Sequence, residues 1–338
     1  MELRESYSKD IRIFDKFYKW GWLAILGTGV VIFSQTGGDY VAYMLNLISI
    51  NIIAAVGLNI LTGFTGLISL GHAAFMAIGA YTSAILTVTL DVPFWLALPT
   101  AGALTGLIGF VVGLPSLRLM GIYLALATMA FGFVTDEIIL QWQSVTGGAD
   151  GFSAVSPAIF GLTFDSYKKY FFITFLSLAI LLFAAKNMLR GSFGRTLMAI
   201  RDSETAAETM GINLGWYKAL AFTLSALYTG LAGGLYAHFI LFISIDNFTL
   251  LNSISYIVMI VVGGLGSLTG SVIGATFITV LPEIITLTKD YLPAAVKTAS
   301  SLQAAVYGII LMLFIIYQPT GFYGFWVKIR NWWRMFPL

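Results

Sequence analysis

Between Asp39 and Asp91 the chain reads YVAYMLNLISINIIAAVGLNILTGFTGLISLGHAAFMAIGAYTSAILTVTL, residues 40–90, without one Asp, Glu, Lys or Arg. A helix needs about 20 apolar residues to cross the hydrocarbon core of a bilayer. The stretch is therefore too long for one crossing and holds two, divided near Gly63-Phe64-Thr65-Gly66. The rest of the chain has the same character. Of its 338 residues 58% are hydrophobic and only 10% charged, against about 25% charged in an ordinary soluble domain. So much apolar surface requires lipid as the solvent, and the fold class expected is all-α, a polytopic helical membrane protein of roughly 8–10 transmembrane elements. With no cysteine present, disulfides, thiol catalysis and Cys-ligated metals are excluded.

A charge at the bilayer centre costs about 2.5–3.5 kcal/mol on insertion scales, so gaps between charges outline the other spans. These are 20–38, 92–117, 119–135 reaching Gln141, 170–185, 219–245, a long 247–282, and 298–327 ending near Gln318-Pro319. Lys and Arg concentrate in residues 1–20, in 186–218 and after Lys328, and such clusters stay in the cytoplasm. The expected organisation is a cytoplasmic leader over 1–20, a transmembrane domain over 21–318 with a cytoplasmic loop at 186–218, and a cytoplasmic tail over 319–338. Both termini can be inside only if 247–282 starts and ends outside. That stretch then forms two short helices or a re-entrant pair meeting at Gly263–Gly270. Lys168, Lys169, Lys289 and Lys297 fall outside in this arrangement, against the general bias.

Gly66-Leu67-Ile68-Ser69-Leu70 recurs as Gly264-Leu265-Gly266-Ser267-Leu268. Paired glycine-broken segments in two halves suggest an internal duplication with a pathway at the repeat interface; a chance match of common residues is the other reading. Gly266/Gly270/Gly274, Gly109/Gly113 and Gly230/Gly234 have the four-residue spacing that lets helices pack closely in lipid.

No G-x-x-x-x-G-K-[ST], H-E-x-x-H or G-x-S-x-G occurs, so the chain carries no P-loop and no recognisable catalytic motif. Ion-coupled carriers keep ionisable relays inside their spans. Here only Asp136 and Glu137 come close, toward the outer end of their span, where they are outer-mouth candidates or a solvated helix end. Energy must then come from a partner, or the chain acts alone as a gradient-driven carrier. The docking element expected is 186–218, read as two short helices. The first spans about Arg195–Arg201. The second is capped by Asp202 or Ser203 and ended by Gly211, with Ala206 and Ala207 set small against a partner's groove. Arg201, Asp202, Glu204, Ala206, Ala207 and Gly211 are its candidate residues. Asn51, Asn59, Thr62, Thr65, Ser69, His72, Tyr123 and Thr128 are translocation-path candidates, and bonding between helices is the alternative for each buried polar group. His238 reads as interfacial.

Residues Arg201–Asn213, Tyr217–Phe222 and Gly230–Tyr236, with Gly57–Phe75, Gly121–Ala130 and Thr146–Gly151, closely resemble blocks of the LivM-type permeases of high-affinity branched-chain amino acid ABC importers. The resemblance implies a heteromeric importer in the bacterial cytoplasmic (inner) membrane. This subunit would pair with a LivH-like second permease, two cytoplasmic ABC ATPase subunits and a periplasmic or extracellular substrate-binding protein. ATP would be used by the ATPases, with no cofactor bound by this chain. The 186–218 loop would correspond to the EAA-type coupling segment, although Thr205 stands where the general motif has Glu and the later Leu-Pro is missing. A urea or short-amide importer is the sibling reading.

Overall fold

A computed structural model describes residues 17–117, 119, 121–159, 162–289, 308, 309, 312, 316, 317 and 321–335. It is built of helices: α1 Phe17–Thr36, α2 Gly38–Leu58, α3 His72–Val88, α4 Phe94–Gly113, α5 Ile122–Gln141 and α6 Tyr167–Arg190. There follow α7 Ser192–Asp202, α8 Glu204–Thr209, α9 Leu214–Ile240, α10 Leu250–Gly263, α11 Leu268–Lys289 and α12 Gly321–Met335. Among the described residues seven helical segments are long and apolar enough to cross a membrane, and α3 is a shorter apolar helix. The only strands described are two-residue pieces: β1 Phe152–Ser153 pairs with β4 Phe242–Ile243, and β2 Ala158–Ile159 with β3 Leu162–Thr163. The span expected within 298–327 and the leader's first sixteen residues lie mainly outside the described residues.

The hub is α9, which packs on α4, α3 and α2. In lipid no hydrophobic effect drives helices together, so close packing of small residues must. A Cβ on Gly79 would lie 2.2 Å from Gly230 O, and one on Gly233 2.0 Å from Met76 O. Gly109 and Gly113 meet Ala226 and Phe222 in the same way. The expected Gly109/Gly113 and Gly230/Gly234 pairs therefore lie at helix crossings. Gly270 and Gly274 close α11 onto Gly263 of α10. Gly266 does not extend that ladder, because it sits in the turn before α11 with a positive φ of 73°.

The 247–282 stretch is a hairpin, α10 and α11 folded against each other around Gly264–Ser267. Its break and the end of α2 lie beside Arg201 of α7. This end of the bundle carries Lys186, Arg190, Arg195, Arg201, Lys328 and Arg330, and the opposite end Asp39, Asp91, Asp150, Asp165 and Asp246. By the positive-inside rule the first end is the one expected in the cytoplasm. Lys168 at the outer end has a local reason: its Nζ donates to Gln35 O in the last turn of α1, 3.0 Å away, where a helix leaves carbonyls unsatisfied and favours a cation. Single cysteines at Asp246 and Lys289 are thus expected to react with an impermeant thiol reagent from one side of the membrane, and at Met210 only from the other. Labelling of position 289 together with 210 would refute the hairpin.

Candidate functional site

The two glycine breaks meet. α2 ends in a π turn, Asn59–Gly63, a form that concentrates at functional sites. Its polar residues turn inward on the break: Thr62 Oγ1 donates to Leu67 O at 2.9 Å and Thr65 Oγ1 to Ile60 O at 3.0 Å. Asn59 crosses to the other break. Its Nδ2 donates to Ser267 O at 3.0 Å and Ser271 Oγ at 2.6 Å, and its Oδ1 accepts from Gly266 N at 3.0 Å. All three amide hydrogen bonds of one buried side chain thus hold the second break to the first. Gly63 has no room for a side chain, since a Cβ would lie 2.5 Å from Gly266 N.

From the first break the chain turns back to start α3 at His72. Thr128 Oγ1 accepts from Leu70 N at 2.9 Å, tying α5 to the break. Ser69 is fully buried, and its hydroxyl has no partner among the described residues. His72 is buried between helices, its Nε2 3.1 Å from Ala54 O and 2.6 Å from Thr229 Oγ1. A carbonyl can only accept, so Nε2 carries the proton. Asn59, Thr62, Thr65, Ser69, His72 and Thr128 are therefore one neighbourhood around the first break, where Asn59, His72 and Thr128 bond across elements and Thr62 and Thr65 bond within the break.

The loop at 186–218 forms the two helices expected. α7 is held by Leu197 and Ile200, both fully buried. Ser203 is the N-cap of α8, accepting from Ala206 N at 3.2 Å; Asp202 is the last residue of α7. Ile212 N donates to Ala207 O and Gly211 N to Glu208 O, a Schellman-type ending in which Gly211 takes a φ of 82°. One expectation is corrected. Ala207 is 3% exposed, because its side of α8 packs on the chain's own bundle; Ala206 and Met210 face outward. Glu204 pairs with Lys218 of α9 at 2.6 Å, and Lys218 is only 2% exposed. The small residue and the acid hold the loop to the bundle.

Toward the outer half, α2, α3, α9 and α10 flank an open cavity of about 180 Å³ lined by Leu47, Asn51, Met76, Tyr236, Asn247, Asn252, Ser255, Tyr256 and Met259. Asn51 donates to Thr279 Oγ1 at 3.0 Å, and Tyr256 OH to Met76 Sδ at 2.9 Å. Among the described residues no charged side chain lines it. Its amides and hydroxyls suit a ligand with both donor and acceptor groups, and Leu47, Met76 and Met259 an aliphatic one. Of the path candidates only Asn51 lies here. Asn247, Asn252 and Ser255 escaped sequence reading, although polar residues following Asp246 in an apolar run were the available signal.

Tyr123 stands at the exposed start of α5. Asp136 is half-buried in a narrow crevice with Leu70, Ala73 and Ser253, and Glu137 is exposed, accepting from Gln141 Nε2 at 2.8 Å. His238 is buried rather than interfacial: its Nδ1 lies 2.8 Å from Val155 O and its Nε2 3.0 Å from Ser83 Oγ.

Comparison with known proteins places this arrangement in context. The family model described as branched-chain amino acid transport system / permease component matches residues 40–316. The chain is 32% identical to the high-affinity branched-chain amino acid transport system permease protein LivM of Escherichia coli K12 over 299 residues, 81% of this chain and 68% of that one. It is 24% identical to the probable branched-chain amino acid transport permease protein LivH of Methanocaldococcus jannaschii, over 83% of this chain and 90% of the other. The autoinducer 2 import system permease protein LsrC of Klebsiella pneumoniae is 29% identical over 55% of this chain and 52% of its own length. No solved structure matches.

Proposed function

The chain belongs to the family of branched-chain amino acid transport system permease components, and from that premise we propose that it is one of two membrane subunits of an ABC importer for branched-chain amino acids. It is a transport subunit and not an enzyme. A second, LivH-like permease completes the translocation path in the bacterial cytoplasmic membrane. A binding protein delivers substrate outside, and two ATPases in the cytoplasm supply the work by using ATP that this chain does not bind. The observation that carries the reading is the α7–α8 element. Its second helix is capped at both ends, and the element is fastened inward by Leu197, Ile200, Ala207 and Lys218 and presents Met210, 83% exposed, at the cytoplasmic end. An exposed apolar knob on a fixed support suits insertion into a groove of another protein.

Substrate choice rests on the uncharged cavity. A zwitterion's ammonium finds amide and hydroxyl oxygens there, its carboxylate finds donors, and its branched side chain meets Leu47, Met76 and Met259. Asn51, Asn59, Thr62, Thr65, Ser69, His72, Tyr123 and Thr128 are proposed to act at or beside the path, with Asp136 and Glu137 near its outer mouth.

The complete importer in proteoliposomes is expected to take up leucine only with ATP and loaded binding protein, and to leave urea outside. Uptake without ATPases would point to a solitary carrier, and urea uptake to the amide branch. Met210→Asp is expected to cut co-purification of the ATPases about tenfold, the loss of about 1.4 kcal/mol at a contact, and to leave the membrane subunits' melting temperature unchanged.

A further inference from the structure

Each carbonyl of the π turn Asn59–Gly63 at the end of α2 has a partner, and that of Gly63 comes from another helix. Asn59 O accepts from Phe64 N, Ile60 O from Thr65 Oγ1, Leu61 O from Leu67 N and Thr62 O from Gly66 N. Gly63 O accepts from Arg201 Nη1 of α7. A helix terminus leaves such carbonyls unsatisfied and carries partial negative charge, so a guanidinium is well matched there.

The same side chain touches the second break. A Cβ on Gly266 would lie 2.7 Å from Arg201 Nη1 and 3.1 Å from Gly63 O. The stem of Arg201 runs past Gly66, whose Cβ position lies 3.4 Å from its Cγ. Arg201 is thus seated where α7 meets both breaks, and Asn59 has already fastened the two breaks to each other. Gly321, at the start of α12, abuts Gly264 on the far side of the second break.

We infer that Arg201 is the positioning residue through which the coupling element drives the joint between the two glycine breaks. Displacement of α7 pulls on Gly63 O and, through Asn59, on Gly266–Ser271, so α2 and α11 move as one unit. The second attachment of the element, Glu204 to Lys218, reaches α9 separately. Arg201 therefore selects which helices follow the ATPases, while Met210 and its exposed neighbours make the docking contact. This inference rests on the ABC-importer reading above.

The test uses the whole importer, with both permeases, ATPases and binding protein, reconstituted with wild-type subunit, Arg201→Ala, Arg201→Gln or Arg201→Lys. Substrate imported per ATP hydrolysed is the decisive readout, beside ATPase co-purification and melting temperature. The Ala and Gln variants are expected to keep their ATPases and hydrolyse ATP, yet import about tenfold less substrate per ATP, within the usual range of coupling between sites. Lysine keeps a cation able to donate to one carbonyl and is expected to restore part of the ratio. An unchanged ratio, or uptake and hydrolysis falling in proportion, would overturn the inference. So would failure of all three variants to assemble, since Arg201 would then serve folding alone. A wild-type complex without ATP-driven uptake would instead remove the importer reading itself.

Discussion

Gly274→Leu is expected to prevent this chain from reaching a stable fold in the membrane. A Cβ at that position would lie 1.9 Å from Met259 O and 2.7 Å from Gly263 N. Both are backbone atoms of α10, so no rotamer change relieves the clash and the two arms of the hairpin must separate. Forced overpacking of a core costs about 1–3 kcal/mol where side chains can give way, and here the obstacle is main chain. Separation also strips the contacts that replace the hydrophobic effect between helices in lipid. Gly270→Leu is expected to act in the same direction, because its Cβ would meet Gly263 O at 2.7 Å and Gly264 O at 2.8 Å. Gly29→Leu is the control: nothing lies within 4 Å of its Cβ position. Detergent-stable monodisperse protein, followed by fluorescence-detected size exclusion, should vanish for Gly274→Leu and persist for Gly29→Leu. Normal recovery of Gly274→Leu would mean that α10 and α11 are not packed as a hairpin.

Glu204→Gln should destabilise the loop more than any other single change of its polar residues. Lys218 is 2% exposed and its Nζ lies 2.6 Å from Glu204 Oε2, whereas Glu204 is 28% exposed. Removing the carboxylate leaves an ammonium buried without its counter-charge, which costs about 3–5 kcal/mol in a fully buried pair. Water reaches the Glu204 side, so the low end of that range, about 3 kcal/mol, is expected. Thermal unfolding followed by tryptophan fluorescence checks it. Adding Lys218→Met should recover most of the loss, because the unpaired charge is gone and the apolar stem is kept. A double variant no better than Glu204→Gln would show that the carboxylate matters for something other than Lys218.

The loop illustrates what a sequence conveys well and what it does not. Its two helices, the Ser203 cap and the Gly211 ending follow from local rules, since a hydroxyl at the N-cap and a left-handed residue past the C-terminus act within one turn. Which side of α8 faces a partner does not follow. Ala206 and Ala207 are equivalent as neighbouring small residues, and only the packing of α8 against α7 and α9 buries one and exposes the other. Nor does the local sequence show that the start of α9 brings Lys218 beside Glu204.

The membrane bundle divides the same way. Uncharged stretches such as 40–90 by themselves determine that the chain crosses lipid many times, because charge is too costly at the bilayer centre to be placed there without purpose. Lys and Arg clusters orient it, and the glycines at 63–66 and 263–270 mark where helices stop. That both breaks meet, that Asn59 joins them and that Arg201 closes the end of α2 was decided only by tertiary structure. So was the gathering of Asn51, Asn247 and Asn252 around one cavity. These contacts link residues up to about two hundred positions apart, and in lipid a polar group accepts whichever partner the fold brings near.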